Sequence, residues 1–141
     1  MKNIIFVCHG NICRSPAAEF VMKSLTDKFS VISRATSYEE IGNDIYPPMK
    51  RALNYANIPF SRHSASRITK EDHDWADIIF YMDEENEYSL RWMFPSSIKI
   101  FPIFAYTSGL FSIEDPWYTG RYEKVLNQIT RCVKDIISNL N

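Results

Sequence analysis

The feature that most constrains the fold lies at the very start of the chain. A short, mostly apolar run, Asn3 to Val7, breaks directly into Cys8-His-Gly-Asn-Ile-Cys-Arg-Ser15 and then into a helical pattern. A run without polar alternation suits a strand buried on both faces, as in a parallel sheet covered by helices. The rest of the chain repeats that alternation. A helix is predicted from near Ser15 to about Asp27, with Pro16 in its first turn and Glu19 just inside. Phe29 to Ser33 reads as a second strand. Pro47 and Pro48 open a helix whose inner face carries Met49, Ala52, Leu53 and Ala56. Ala76 to Met82 is the strongest central strand, left by a helix from Asp83 to about Met93, and Ile98 to Phe101 is a fourth strand. Tyr122, Val125, Leu126, Ile129, Cys132, Val133, Ile136, Ile137 and Leu140 mark the last helix by their three- and four-residue spacing.

The expected fold class is therefore α/β: a four-stranded parallel sheet with helices on both faces, Rossmann-like, with right-handed crossovers. Residues 1–141 are read as one domain, long enough for a core without disulfides or metal. In such sheets ligands sit outside the carboxyl ends of the strands, where the loop after the first strand lies.

That loop has the chemistry of an anion site. Unpaired backbone N–H groups and a helix N-terminus attract phosphate. Gly10 is expected to take backbone angles closed to other residues, and Asn11 tolerates a left-handed conformation. Arg14 supplies a planar fork that grips two phosphate oxygens. Cys8 lies at the floor, where amides, helix terminus and Arg14 favour the thiolate. Ser15 can donate a hydrogen bond to the sulfur and help it leave. A thiolate beneath a bound phosphoryl group is arranged for in-line attack, so the loop points to covalent phosphoryl transfer.

The leaving oxygen then needs a proton. Asp115, in Ile-Glu-Asp115-Pro-Trp-Tyr-Thr-Gly120, is the candidate general acid and, for the second step, the base that activates water. Trp117 and Tyr118 are expected as walls that admit a flat aromatic phosphoester.

The Cys8-x5-Arg14-Ser15-Pro16 run at the N-terminus, with Asp115-Pro-Trp-Tyr118 far downstream, resembles the low-molecular-weight protein tyrosine phosphatase family over nearly the whole chain. Arg34-Ala-Thr-Ser37 and the 69–83 segment fall in family order and at about family spacing. The resemblance implies Cys8 as nucleophile, Arg14 as phosphate clamp and Asp115 as general acid. His9, Gly10, Ile12 and Cys13 line the loop, and Asn11, Ser15, Ser33 and His63 form the polar network that holds it. It further implies that Cys13 pairs reversibly with the nucleophile and shields it from irreversible oxidation, a redox-sensitive device. Three positions depart from the family pattern. Arg34 stands where a small residue is common, setting a basic group near the end of its strand. Tyr38, the nearest aromatic to the usual wall in the following loop, is expected to bind substrate, while Glu39 holds the matching position.

The expected function is hydrolysis of protein phosphotyrosine and small aryl phosphates through a phosphocysteine, without cofactor or metal, releasing inorganic phosphate, which also inhibits. A phosphoarginine phosphatase of the same fold is the alternative, although apolar Ile12 favours an aromatic substrate over it. A phosphate- or phosphotyrosine-binding module without turnover is the other, but it has no use for Asp115. An arsenate reductase relay lacks its parts, since residues 74–131 contain no cysteine. A net charge of -1 gives no case for a nucleic-acid or membrane surface. Three cysteines in 141 residues fit a reduced, cytoplasmic protein, expected as a monomer. Cys132 reads as packing, and the acidic run from Glu71 to Glu87 as a solvated face.

Overall fold

The structure, a computed structural model, describes residues 1–140. Four parallel strands form one sheet in the order β2-β1-β3-β4. They are β1 (Lys2–Cys8), β2 (Phe29–Ala35), β3 (Ile78–Tyr81) and β4 (Ile100–Pro102). The helices are α1 (Arg14–Leu25), α2 (Pro47–Tyr55), α3 (Lys70–Trp75), α4 (Glu84–Met93), α5 (Pro116–Thr119) and α6 (Tyr122–Leu140). This is the single α/β domain that the alternation implied.

β1 has no polar face because both of its faces are covered. Ile4, Ile5, Phe6 and Val7 are all fully buried. Ile4, Phe6 and Cys8 enter the larger core with α1, α2 and α6, where Phe6 stacks on Phe80 with ring centroids 5.8 Å apart. Ile5 and Val7 point the other way, into a smaller core with Ile79, Tyr81, Ile100 and Leu90 of α4. The period of two along the strand thus divides its side chains between two helical layers.

α6 buries Val125, Leu126, Ile129, Cys132, Val133 and Ile136 along one stripe against α1 and α2. Each fully buried aliphatic side chain of this kind contributes roughly 1.5–3 kcal/mol. α1 is buried from Arg14 to Met22 because it is held between the sheet and α6.

Several boundaries shift from those read in the sequence. α1 ends at Leu25, where Thr26 turns extended. Ala56 lies past the end of α2 and is exposed, so it is not part of the inner face. Ile98 is 88% exposed and precedes β4, which is only three residues long. Two short helices went unread: α3, opened by a reciprocal Thr69–Asp72 capping box, and α5, capped by Asp115. The 71–87 run is not uniformly solvated either. Asp72 pairs with Arg34 at 3.0 Å and Asp83 with Arg14 at 2.7 Å. Among the described residues no helix is long and apolar enough to cross a membrane.

Candidate active site

Parallel register brings three carboxyl ends together. Cys8 closes β1 opposite Ala35, the last residue of β2. Val7 lies opposite Tyr81, so Asp83 follows just beyond the end of β3. The loop from Cys8 to Cys13 leaves this edge, and Arg14 opens α1.

Within the loop the left-handed residue is Asn11, at φ 60°, and not Gly10. Gly10 serves a different need: a Cβ there would stand 3.3 Å from Cγ of Glu40, so the bare backbone makes room for that side chain. Asn11 is fully buried and bonded through every polar group it has. Its N–H reaches Cys8 Sγ at 3.3 Å. Its Nδ2 donates to Ser15 Oγ at 2.8 Å and to Ser33 Oγ at 3.0 Å. Its Oδ1 accepts from Ser66 N at 3.1 Å, and its carbonyl lies 2.7 Å from His63 Nε2. A carbonyl can only accept, so that ring nitrogen carries the proton.

The network has a direction. Ser33 accepts from Asn11 and passes its own proton to Glu19 Oε1 at 2.7 Å, and Lys23 neutralises Glu19 at the other oxygen. Ser15 likewise accepts from Asn11, and its hydroxyl proton has two acceptors within reach, Cys8 Sγ at 3.0 Å and the Arg34 carbonyl at 3.4 Å. With a thiolate at Cys8 the shorter contact makes Ser15 a second donor to the sulfur beside Asn11 N–H.

Arg14 is 2% exposed, and Nη1 is the guanidinium nitrogen that makes its hydrogen bonds. Nη1 donates to Asp83 Oδ2 at 2.7 Å and to the Ile113 carbonyl at 2.8 Å, while Nη2 lies 3.5 Å from Asp115 Oδ2. Burial works against its charge, but the Cys8 sulfur and the Asp83 carboxylate outweigh that penalty and raise the guanidinium pKa. Burial also pushes the Cys13 thiol well up, reinforced by Cys8 and Asp115, so Cys13 stays protonated at neutral pH. Of the two loop cysteines only Cys8 has hydrogen-bond donors aimed at its sulfur.

Above the sulfur lies a pocket lined by Cys8, His9, Gly10, Ile12, Cys13 and Arg14 from the loop. Asp115, Trp117 and Tyr118 of the α5 segment and Glu39 and Glu40 of the loop after β2 complete it. Asp115 caps α5 through Trp117 N at 3.1 Å, which leaves Oδ2 to face Arg14. Trp117 leans on Tyr46 with ring centroids 4.9 Å apart, and Tyr118 is 85% exposed at the mouth.

Asn11, Ser15, Ser33 and His63 lie beneath or behind the loop rather than on the pocket surface. Tyr38 does not reach the pocket. Its ring lies under the Arg67 guanidinium at 4.4 Å, with its hydroxyl 3.1 Å from Arg67 Nη1. Arg34 also points elsewhere, tied to Asp72 of α3. Sequence reading missed Asp83, Ile113 and Glu40. Asp83 had a signal, an acid directly after the best central strand. The Ile113 carbonyl and Glu40 arrive on irregular segments that carry no periodicity. Among the described residues no group of three or more metal-ligating side chains converges.

Comparison with known proteins agrees with this geometry. The family model described as low molecular weight phosphotyrosine protein phosphatase matches residues 3–141. The human low molecular weight phosphotyrosine protein phosphatase is 39% identical over 152 residues, covering 94% of this chain and 92% of that protein. The Bacillus subtilis low molecular weight protein-tyrosine-phosphatase YfkJ is 33% identical over 150 residues, with 99% and 96% covered. The crystal structure of SP-PTP, a low molecular weight protein tyrosine phosphatase from Streptococcus pyogenes, superposes with a TM-score of 0.92 at 36% identity, covering 100% of this chain and 94% of that one. With the family model matching nearly the whole chain and relatives above 30% identity matching it almost end to end, the chain belongs to the low-molecular-weight phosphotyrosine protein phosphatase family.

Proposed function

We propose that this chain is a protein tyrosine phosphatase that hydrolyses phosphotyrosine, and small aryl phosphates, through a phosphocysteine on Cys8. The observation that carries this reading is the convergence of Asn11 N–H and Ser15 Oγ on Cys8 Sγ, at 3.3 and 3.0 Å, beneath a pocket that also holds Arg14 and Asp115.

In the first step Cys8 Sγ attacks phosphorus, the S–P bond forms and the bond to the aryl oxygen breaks. Asp115 gives that oxygen its proton. Arg14 and the loop amides hold the equatorial oxygens, where charge gathers in the transition state. In the second step water attacks phosphorus and gives a proton to Asp115. The S–P bond breaks, inorganic phosphate leaves, and the thiolate departs into the hydrogen bonds of Ser15 and Asn11. Trp117 and Tyr118 flank the aryl group. His63, Ser33 and Glu19 act through Asn11 by holding the loop in shape. Cys13, kept as a thiol, is the partner for reversible pairing with an oxidised Cys8. Nothing in these steps calls for a cofactor, and the reading is of a cytoplasmic monomer acting on phosphotyrosine-bearing proteins.

Steady-state turnover of p-nitrophenyl phosphate, a phosphotyrosine peptide and phosphoarginine tests it, with wild type, Cys8→Ser and Asp115→Asn in parallel. Turnover of the aryl esters should vanish in Cys8→Ser and fall roughly 10²-fold or more in Asp115→Asn. Preference for phosphoarginine would keep the mechanism and replace the substrate. Phosphate binding without any turnover would make the chain a binding module.

A further inference from the structure

The mouth of the pocket is acidic on one side, and the arrangement is built rather than incidental. Glu40 sits at the first position of a tight turn in which Asn43 N donates to the Glu40 carbonyl at 3.0 Å, with Gly42 at φ 88° supplying the left-handed residue. The turn is fastened across the molecule by Gly42 N to the Ala65 carbonyl at 2.8 Å and Ala65 N to the Asn43 carbonyl at 2.8 Å. Asn43 Nδ2 then grips Glu40 Oε2 at 2.6 Å, and the side chain lies in the space left by Gly10. Glu39, 68% exposed at its side chain, meets His9 Nε2 at 3.0 Å on the rim.

Arg14, the cation at the base of the pocket, already faces Asp83 and Asp115. Arg34 and Arg67, the nearby arginines of the β2 side, are occupied by Asp72 and Tyr38. Arg14 is the one lysine or arginine among the residues lining the pocket, so the rim presents two carboxylates to whatever flanks the phosphoryl group.

We infer that Glu39 and Glu40 are specificity determinants that select phosphotyrosine flanked by lysine or arginine and disfavour acidic flanks. The inference rests on the phosphotyrosine phosphatase reading above. A peptide held by its phosphotyrosine in the pocket places its neighbouring residues at the rim. There a basic side chain gains two partially screened attractions and an acidic one meets repulsion. Exposed pairs of this kind are weak singly, so two acting together should give about a three- to tenfold spread in kcat/KM between Lys- and Glu-flanked peptides. The spread should sit mainly in KM, because the rim meets substrate and transition state alike. It should shrink with salt, since the screening length falls from about 10 Å at 0.1 M to about 3 Å at 1 M.

The test uses three phosphotyrosine peptides of one length with Lys, Gln or Glu on both flanks, and p-nitrophenyl phosphate as the flankless control. Wild type is compared with the Glu39→Gln/Glu40→Gln double variant at low and high salt. The expected order in wild type at low salt is Lys above Gln above Glu, and the ratios collapse toward one in the double variant and at high salt. Equal turnover of the three peptides by wild type, or a preference that persists in the double variant, overturns the inference while leaving the phosphatase reading intact. Loss of turnover on every peptide and on p-nitrophenyl phosphate overturns both.

Discussion

At the scale of single residues, Asn11 is the keystone of the loop. It combines a left-handed backbone with five hydrogen bonds, one of them to the sulfur of Cys8. Asn11→Ala forfeits the side-chain bonds and places a Cβ-bearing residue without local polar compensation at φ 60°. Left-handed strain costs roughly 1–2 kcal/mol and an orphaned buried polar group about 1–3 kcal/mol. Urea unfolding should therefore show a loss of about 2–5 kcal/mol. Asn11→Gly relieves the backbone part alone, so it should be the milder change, and equal losses in the two variants would deny the left-handed residue its role. The sequence already marked Asn11 as tolerant of this conformation. It misassigned Gly10, because a glycine needed for the approach of a distant side chain looks the same in sequence as one needed for a turn.

At the scale of elements, the site is a junction of helix ends. Asp83 caps α4 through Asn86 N at 2.9 Å with one oxygen and holds Arg14 with the other. Asp83→Ala removes a cap, worth about 1 kcal/mol, and leaves a nearly buried guanidinium short of a partner, where breaking a buried pair costs roughly 3–5 kcal/mol. A loss of about 3 kcal/mol or more in chemical denaturation is expected, with Asp115 as Arg14's remaining carboxylate. Asp83→Asn should keep most of the cap and show its defect in KM for phosphoesters.

Asp44 performs a similar service for the support beneath the loop. It pairs with Lys50 of α2 at 2.6 Å and accepts from His63 N at 2.9 Å. The Lys50 hydrogen bond, aided by the backbone donors of His63 and Ile45, lowers its carboxyl pKa from 3.8 to about 2. A depressed carboxylate stabilises the fold fully above its unfolded pKa, and that contribution is lost as pH falls through the folded value. Stability should thus drop between about pH 4 and pH 2, and Asp44→Asn should flatten that part of the profile. An unchanged acid limb in the variant would refute the assignment.

At the scale of the whole molecule, the site closes a parallel sheet whose core runs unbroken from β1 through α1 to α6. Anything that binds the pocket should therefore stabilise the entire domain. Inorganic phosphate at about 100 times its Kd should add roughly 2.7 kcal/mol, or a rise in Tm of about 5–10 °C for a chain of this size. Arg14→Lys keeps the charge without the fork, and the rise should shrink by more than half.

The sheet and its site were legible where periodicity or a dense motif carried them. The unalternating run of β1, the stripe of α6 and the Cys8–Arg14 spacing each leave a mark in the sequence. The 103–113 segment leaves none. It buries Ile103 and Ile113, ties Thr107 to Asp135 at 2.6 Å and delivers a backbone carbonyl to Arg14, a group that every residue has. Tyr38 was misplaced for a related reason. Proximity in sequence made it a wall, but Arg67 offers its ring a cation–π contact outside the pocket.

The central claim is a covalent phosphoryl group on Cys8, and trapping it is the most direct measurement. Enzyme mixed with excess p-nitrophenyl phosphate is quenched in acid within milliseconds, digested and mapped by mass spectrometry. The expected result is one phosphoryl group on the peptide containing Cys8, formed together with a burst of p-nitrophenol and absent from Cys8→Ser. Undiminished turnover by Cys8→Ser, or a phosphoryl group trapped on another residue, would contradict it.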